Sequence, residues 1–134
     1  MVDGHYRTSP SCVFTLNYHL VWCPKYRSNV LTSEVRERSK DHLYEKAEAI
    51  NVSIEALEIM PDHVHLFVSA DPPEAPQRLA NQFKGYSSRI LRKEFAHLRS
   101  RMPALWSRSS YVGSVGHVSA DAVKKYIAEQ EKRS

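Results

Sequence analysis

The sequence predicts an α+β fold, a ferredoxin-like βαββαβα sandwich in which helices pack on an antiparallel sheet. Apolar side chains recur with period two across residues 13–22, the pattern of a strand with an apolar face. Residues 35–50 carry apolar side chains at helical spacing. Residues 52–70 form two apolar runs around a tight turn, as a hairpin does. A strand, a helix and a hairpin in this order make up the first half of the sandwich.

The elements of this first half begin and end at local signals. Thr32 and Ser33 offer an N-cap for the first helix, which ends at about Ile50. The next two strands are rich in Ile and Val and span residues 52–60 and 63–70. A proline and an aspartate separate them, so we expect the two strands to pair antiparallel.

The second half supplies a helix, a strand and a helix. Residues 77–95 have helical apolar spacing, and residues 97–103, which end in proline, break this helix. Residues 105–115 form the fourth strand, and Ser119 caps a last helix of about residues 119–133. The predicted buried positions are Leu79, Phe83, Tyr86 and Ile90 in the first of these helices and Ala120, Val123 and Ile127 in the second, with Val118 and Val123 as a hydrophobic staple.

Composition limits the classes of function. The chain has 134 residues, with 19 Lys and Arg against 15 Asp and Glu and a net charge of +4 at pH 7. This length is typical of one domain, so we expect residues 1–134 to form a single unit. Since there is no membrane-length apolar run and no secretory signal, we expect no membrane partner, a cytoplasmic location and reduced thiols at Cys12 and Cys23. The charge favours a polyanionic partner, although solubility alone explains a charge of this size.

His63 and His65 form the first candidate site. One residue separates them in a predicted strand, where side chains alternate between faces, so both imidazoles project to the same side. Two imidazoles on one face suit a single divalent ion. A pair of solvated histidines on a strand fits the same spacing.

Tyr126 and Gln130 form the second candidate site. They lie four residues apart and therefore share one edge of the last helix, beside its apolar stripe. In one interpretation, Tyr126 is a half-buried packing aromatic and Gln130 bonds a backbone carbonyl. In the other, Gln130 Oε1 is a third metal ligand and Tyr126 is a nucleophile.

Two basic surfaces suit phosphates and unstacked bases. Three arginines of the second helix share one side with Gly85, which costs about 1 kcal/mol relative to Ala in a helix interior and therefore indicates close approach of a phosphate or a neighbouring element. The loop after the first strand combines charge with the ring of Tyr26. A solvated basic face is the alternative for the helix. The candidate contacts are Lys25, Arg27, Arg78, Arg89 and Arg92.

Together these motifs resemble the single-tyrosine HUH transposases of the IS200/IS605 type, small enzymes that move insertion sequences as single-stranded DNA. The similarity runs from about residue 13 to residue 131, in the family's order. His-x-His alone is a common motif, whereas His-x-His followed by Tyr-x-x-x-Gln is much more specific. The motifs are WCPKYR at 22–27, MPDHVH at 60–65, FKGYSSRILR at 83–92, LWSRSSYVGSVG at 105–116 and YIAEQ at 126–130.

The resemblance implies a single HUH transposase domain and assigns roles by position. His63 and His65 are the metal ligands, Gln130 completes the metal site, and Tyr126 is the nucleophile on a catalytic helix of about residues 119–133. The metal is Mg²⁺ or Mn²⁺, and no nucleotide cofactor is required. The family does not specify the arginines of the second helix, which follow from their spacing alone.

The resemblance also implies a reaction and partners. The enzyme cleaves and rejoins single-stranded DNA at insertion-sequence ends through a 5′-phosphotyrosine intermediate. Its partners are DNA hairpins at the element's ends and a second copy of the chain. In this homodimer each subunit's tyrosine helix completes the other's site, and Gly113 and Gly116 are the predicted hinges.

Three alternatives stay open. A non-catalytic nucleic-acid-binding protein of the same fold explains the charge and the aromatic residues but not His63, His65 and Gln130. A structural zinc site would use the histidines with Cys23 or Cys12, although the chain has no Cys-x-x-Cys pair. A host-adopted relative that cuts DNA hairpins without moving an element would share every site residue.

Overall fold

The main sheet has four antiparallel strands. The computed structural model describes residues 7–8, 13–14, 16–70, 75–114 and 120–130. Its strands are β1 (Arg7–Thr8) and β2 (Val13–Phe14), which form a separate short pair, and β3 (Leu16–Trp22), β4 (Ser53–Met60), β5 (His63–Ala70) and β6 (Tyr111–Ser114) of the main sheet. The order across the main sheet is β4-β5-β3-β6, and neighbouring strands are antiparallel. This is the strand order of the ferredoxin-like sandwich, so the predicted α+β fold is confirmed.

Helices cover both faces of the sheet. They are α1 (Ser33–Ala49), α2 (Pro76–Glu94), α3 (Ala96–Arg101) and α4 (Ala120–Glu129). The main core lies between one face and the helices α1 and α2. On the other face, Val123 and Ile127 of α4 pack against Val21 and Cys23. Within the described ranges, no helix has both the length and the apolar character needed to cross a bilayer.

Side chains of β3 alternate between the two faces of the sheet and are buried on both. Tyr18, Leu20 and Trp22 point into the main core, and burial of a side chain such as Leu20 contributes about 1.5–3 kcal/mol. Val21, between them in sequence, is also fully buried, but under α4. The strand is therefore buried on both sides along its second half.

The hairpin of β4 and β5 sets the register of the histidines. Its two-residue turn pairs Met60 with His63 and Glu58 with His65. Val64, between the two histidines, points into the main core, so both imidazoles project from the opposite face. The predicted antiparallel pair is confirmed.

The predicted buried stripe of α2 is wrong in its second half. Tyr86 and Ile90 are only half-buried, and the stripe continues from Phe83 through Ser87 and Leu91. A serine is tolerated there because its hydroxyl donates a hydrogen bond to Phe83 O at 2.7 Å. The helix is thus rotated relative to the position that apolar spacing alone predicts.

Three element boundaries also differ from the prediction. The first strand, predicted over residues 13–22, is divided: Val13–Phe14 pair with β1, and only Leu16–Trp22 joins the main sheet. The segment that is predicted only to break the second helix contains α3, because the extended backbone of Phe95 separates two helices. The fourth strand is shorter than residues 105–115, although Trp106 makes an isolated bridge with Pro24. Thr32 occupies the N-cap of α1 as predicted, without a side-chain capping hydrogen bond.

The last helix is confirmed over the residues that the structure describes. Val123 and Ile127 are buried as predicted. Cys23 is a free, buried thiol, and burial above all raises its pKa to about 12. The predictions for Cys12, Gly116, Val118, Ser119 and residues 131–133 lie outside the described residues.

Glu94, at the end of α2, links the helices that cover the main core. Its carboxylate accepts hydrogen bonds from Arg38 Nε at 3.2 Å, Arg38 Nη2 at 2.8 Å and His42 Nε2 at 2.9 Å. The hydrogen bonds from Arg38, followed by that from His42, lower the pKa of Glu94 to about 2. The carboxylate therefore contributes to stability only while it is ionised.

We expect Glu94→Gln to flatten the loss of stability in acid. A carboxylate with a depressed pKa contributes stability above its usual pKa of 4.5 and loses that contribution as the pH falls towards about 2. The wild type should therefore lose free energy of unfolding more steeply across this window, by a modest amount because Glu94 is partly exposed. Urea unfolding as a function of pH measures both slopes, with Glu37→Gln on α1 as the control. Equal slopes for wild type and Glu94→Gln would contradict the role of this carboxylate.

Candidate metal and nucleophile site

His63 and His65 lie side by side on the face of β5 that is turned away from the main core. Their ring centroids are 4.8 Å apart, and both residues are half-buried. Period two along the strand and the turn before it produce this arrangement. The structure thus brings together the two predicted metal ligands.

Asp62 orients the ring of His63. Its Oδ1 accepts a hydrogen bond from His63 Nδ1 at 2.7 Å, and its Oδ2 accepts one from Arg27 Nε at 2.6 Å. Burial raises the pKa of Asp62, but the hydrogen bonds from His63 and Arg27 outweigh burial and lower it. A charged carboxylate only accepts, so Nδ1 of His63 carries a proton, and in the neutral ring Nε2 is the nitrogen with the free electron pair.

A third histidine, His19 of β3, supports His65. Its Nε2 lies 3.0 Å from His65 Nδ1, and its ring stacks on Phe67 with centroids 4.1 Å apart. Burial and then the proximity of His65 lower the pKa of His19 to about 4, and burial and then His63 lower the pKa of His65. Both rings are therefore neutral at pH 7. A proton on Nδ1 of His65, donated to His19, leaves Nε2 of His65 as a metal-binding atom.

A cleft of about 760 Å³ opens beside these rings. Imidazoles, two cationic side chains and one carboxylate line it together with apolar groups, a mixture that suits a phosphate held near a metal. One edge of α4 closes the cleft. The lining residues are His19, Arg27, Glu58, His63, His65 and Phe67, with Val123, Lys124, Ile127 and Ala128 from α4.

Tyr126 and Gln130 lie on a different edge of α4. The Tyr126 hydroxyl donates to Ser109 O at 2.9 Å, and Ser109 Oγ donates to Gln130 Oε1 at 3.1 Å. Gln130 is 1% exposed, and its Nε2 donates to the carbonyl of Tyr126, as one of the two interpretations expects. Within the described part of the chain, the structure joins Tyr126 to Gln130 but does not bring this pair to the histidines, because other residues of α4 line the cleft.

The candidate nucleic-acid contacts divide between the two faces of the sheet. Arg27 lines the cleft. Beside it, Tyr26 is 59% exposed, and Lys25 Nζ lies 5.5 Å from the centroid of its ring. Arg78 and Arg89 are exposed on α2, which covers the opposite face. The two basic surfaces therefore do not form one patch around the histidines.

Arg92 and Gly85 of α2 have different explanations. Arg92 donates to Pro103 O at 3.1 Å and to Met102 O at 3.2 Å, so its guanidinium holds the two residues that follow α3 against α2. A Cβ built on Gly85 would meet no atom within 4 Å among the described residues. Contact with a neighbouring element of the described chain therefore does not explain Gly85, and close approach of a phosphate stays a prediction.

Comparison with known proteins gives the family. Residues 12–130 match the family model described as "Transposase IS200 like". The chain belongs to the IS200-like transposase family. The ISDra2 transposase TnpA of Deinococcus radiodurans is 35% identical over 123 residues, which are 90% of this chain and 88% of that protein. The transposase of insertion sequence IS200 from Salmonella typhimurium is 32% identical over 115 residues, or 84% of this chain and 75% of that protein.

Solved structures share the fold of this IS200-like transposase. A crystal structure from Deinococcus radiodurans, described as a transposase, superposes with a TM-score of 0.83 at 34% identity and covers 92% of this chain and 97% of its own. A REP-associated tyrosine transposase bound to a REP hairpin has a TM-score of 0.55 at 10% identity, covering 90% and 68%. The second likeness shows the fold alone.

The histidine pair of this IS200-like transposase fits a divalent metal ion. Both rings have Nδ1 in a hydrogen bond, an arrangement that prepares Nε2 as a ligand. In the ranges that the structure describes, no three His, Cys, Asp or Glu side chains group as a metal set, so other positions would fall to an amide such as Gln130, to water or to phosphate oxygens. Cys23 lies among apolar side chains with Val123, which gives a zinc site with Cys23 no support.

Three further residues of the site, His19, Asp62 and Glu58, were not predicted from the sequence. Asp62 directly precedes His63, and a carboxylate beside a metal-binding histidine is a recognisable signal. Counting back from the hairpin turn places Glu58 opposite His65. No local pattern identifies His19, because only the pairing of β3 with β5 brings it to His65.

We expect Asp62→Asn to weaken metal binding in this IS200-like transposase by about 10- to 100-fold. The amide keeps the shape of the side chain but removes the charge that holds Nδ1 of His63 protonated and pairs with Arg27. Calorimetric titration with Mn²⁺ measures the change, and Asp41→Asn on α1 is the matched control. Wild-type affinity in Asp62→Asn would show that the carboxylate does not prepare His63 for a metal.

Proposed function

We propose that this transposase cleaves and rejoins single-stranded DNA at the ends of an insertion sequence through a 5′-phosphotyrosine on Tyr126. The pair His63 and His65 is the observation that supports this most strongly, because both rings border the cleft and both have Nδ1 engaged. Their Nε2 atoms would hold Mg²⁺ or Mn²⁺, with Gln130 Oε1 as the third protein ligand. The transposase names of the relatives agree with this proposal.

Tyr126 supplies the nucleophile. Its Oη forms a bond to phosphorus while the bond from phosphorus to O3′ breaks, and the phenol proton leaves as O3′ takes up a proton. The products are a tyrosine-linked 5′-phosphate and a free 3′-OH. Attack by a second 3′-OH reverses these bond changes, reseals a strand and restores the phenol, so no nucleotide cofactor is needed. A bound divalent ion supplies Lewis-acid polarisation of the scissile phosphate and neutralises developing charge.

The loop after β3 is suited to hold the DNA near the cleft. Tyr26 has a left-handed backbone, φ 58° and ψ 21°, which is uncommon for a bulky residue and places its ring in solvent. An exposed ring next to cationic Lys25 and Arg27 can stack on an unpaired base. We assign these three residues to the strand near the scissile phosphate.

The arginines of α2 belong to a second DNA contact in this proposal. Arg78 and Arg89 are exposed on the other side of the sheet from the histidines, so a hairpin stem rather than the cleaved strand suits them. Arg92 contributes to this surface only with the part of its guanidinium that does not bond Met102 O and Pro103 O.

The active unit in this proposal is a homodimer with composite sites. Tyr126 of α4 and Gln130, which directly follows α4, face Ser109, whereas Lys124 and Ala128 of α4 line the histidine cleft. One chain in this conformation thus has its nucleophile and its metal ligands apart. The strand β6 ends the sheet on the side of Ser109, and in the described part of the chain its outer edge has no partner strand. A second copy joined at this edge would offer its histidines to Tyr126.

Covalent capture tests the proposed function. The protein is mixed with single-stranded DNA from either side of its own gene and with Mn²⁺ or Mg²⁺, then denatured and examined for a protein–DNA adduct. An adduct that requires both metal and single strandedness is the expected result. Tight hairpin binding without any adduct would favour a non-catalytic binding protein of the same fold instead. An adduct on DNA hairpins from sites without a flanking element would favour a host-adopted relative.

A further inference from the structure

Lys84 is a buried cation that the proposed reaction does not use. It lies on the core side of α2 and is 8% exposed. Its Nζ donates to Ser109 O at 2.9 Å, to Ser110 Oγ at 3.0 Å and to Arg108 O at 3.4 Å. None of the ion pairs among the described residues involves Lys84, and burial lowers its pKa to about 8. Burying a charge without an ion-pair partner costs free energy, so the presence of a lysine at this position needs an explanation.

The three acceptors of Lys84 belong to the segment that holds the nucleophile helix. Ser109 O accepts from Lys84 at 2.9 Å and from the Tyr126 hydroxyl at the same distance. Ser109 Oγ donates to Gln130 Oε1 at 3.1 Å. One residue therefore joins the buried ammonium to both of the helix residues that the proposed reaction needs. We call Lys84, Ser109, Tyr126 and Gln130 the tyrosine seat.

The tyrosine seat supplies the directional contacts that the apolar packing of α4 lacks. The helix has 10 residues, too short to be stable alone, and among its described side chains the buried apolar ones are Val123 and Ile127, with Tyr126 packed against them. These contacts choose the face of α4 that is buried, but apolar contact is not directional and does not set where the Tyr126 hydroxyl and the Gln130 amide point. Hydrogen bonds are directional, and those of the seat turn Tyr126 and Gln130 towards the β6 side.

We propose that Lys84 is a positioning residue for Tyr126, acting through the carbonyl of Ser109. Its hydrogen bonds fix the positions of residues 108–110. The Ser109 carbonyl then orients the Tyr126 side chain by accepting a hydrogen bond from its hydroxyl. This inference rests on the proposed function in that Tyr126 is taken as the nucleophile. It extends that function to a buried residue that acts through residues 108–110 rather than by contact with the reacting atoms.

Lys84→Met tests the proposal, because methionine keeps the length and apolar stem of lysine but removes its charge and donors. Hydrogen exchange of the α4 amides should rise by about tenfold or more, with exchange in β5 unchanged. The single-turnover rate of adduct formation should fall by a similar factor at unchanged affinity for DNA. Lys93→Met, on the exposed side of α2, is the control and should leave α4 exchange as in the wild type.

A second variant separates positioning from general stability. Ser109→Ala keeps the backbone carbonyl that Lys84 and Tyr126 share but removes the hydroxyl that donates to Gln130 Oε1 and, at 3.4 Å, to the Tyr126 hydroxyl, so α4 exchange should rise by less than in Lys84→Met. Unchanged α4 exchange in both variants would overturn the proposal. A uniform rise that includes β5 would overturn it too, because Lys84 would then be a structural residue. If the wild type forms no adduct, the proposed function fails, while the exchange experiment still tests the seat.

Discussion

Tyr126→Phe should abolish the covalent adduct, a loss of at least about 10³-fold, while leaving hairpin binding intact. The substitution removes a single hydroxyl and almost no surface. In the fold that hydroxyl donates a hydrogen bond to Ser109 O, which keeps its second donor, Lys84, and accepts a long one of 3.4 Å from Ser109 Oγ, which keeps Gln130 as its acceptor. The cost to stability is therefore about 1 kcal/mol, and the variant should fold. Adduct yield on a denaturing gel and hairpin affinity by fluorescence anisotropy measure the two effects separately.

Tyr111→Phe is the matched control for this experiment. The ring of Tyr111 lies 6.3 Å from that of Tyr126, on the same side of the sheet, so it is the neighbouring phenol that could replace the nucleophile. We expect wild-type adduct yield from Tyr111→Phe. An adduct that persists in Tyr126→Phe and disappears in Tyr111→Phe would transfer the nucleophile to Tyr111. Loss of hairpin binding in Tyr126→Phe would mean that the phenol serves recognition.

The sheet was predictable because its first strand has a period-two pattern, the next two strands are apolar runs rich in Ile and Val, and one hairpin turn sets the register. The α2 stripe was not, because its burial depends on partners distant in sequence. Ser87 can be buried because its hydroxyl donates a hydrogen bond to Phe83 O and accepts one from Trp106 Nε1 at 3.1 Å. Lys84 is buried where the segment around Ser109 offers oxygen atoms. Apolar spacing cannot identify buried polar residues whose acceptors come from another element.

Of the candidate site, the sequence predicts the residues better than their arrangement. The strand period is enough to place His63 and His65 together, and the helical period is enough to place Tyr126 beside Gln130. The relation between the two pairs depends on which elements pack on each side of α4: Lys124 and Ala128 line the histidine cleft, whereas Tyr126 and Gln130 contact Ser109. These contacts arise only in the folded chain, so no local pattern contains them.

His63→Ala alone should lose the adduct at every concentration of Mn²⁺ or Mg²⁺, because it removes one of two imidazole ligands and leaves Asp62 without its ring partner. Hairpin binding should persist, since the ring lies in the cleft and the α2 arginines lie on the other face. His97→Ala, an exposed histidine of α3, is the control and should keep wild-type activity. Unchanged metal dependence in His63→Ala would remove His63 from the metal site.

Mixing the two inactive variants gives the more decisive result. In a dimer of one His63→Ala chain and one Tyr126→Phe chain, composite sites combine the intact histidines of the second with the intact Tyr126 of the first. After random reassociation, about a quarter of the wild-type sites should be restored. The adduct should form on the His63→Ala chain, which a size tag identifies on a denaturing gel. If each chain used its own histidines, every site in the mixture would lack one group, and no adduct would form. The orientation of Tyr126 towards Ser109, away from the cleft of its own chain, is the physical reason to expect restoration.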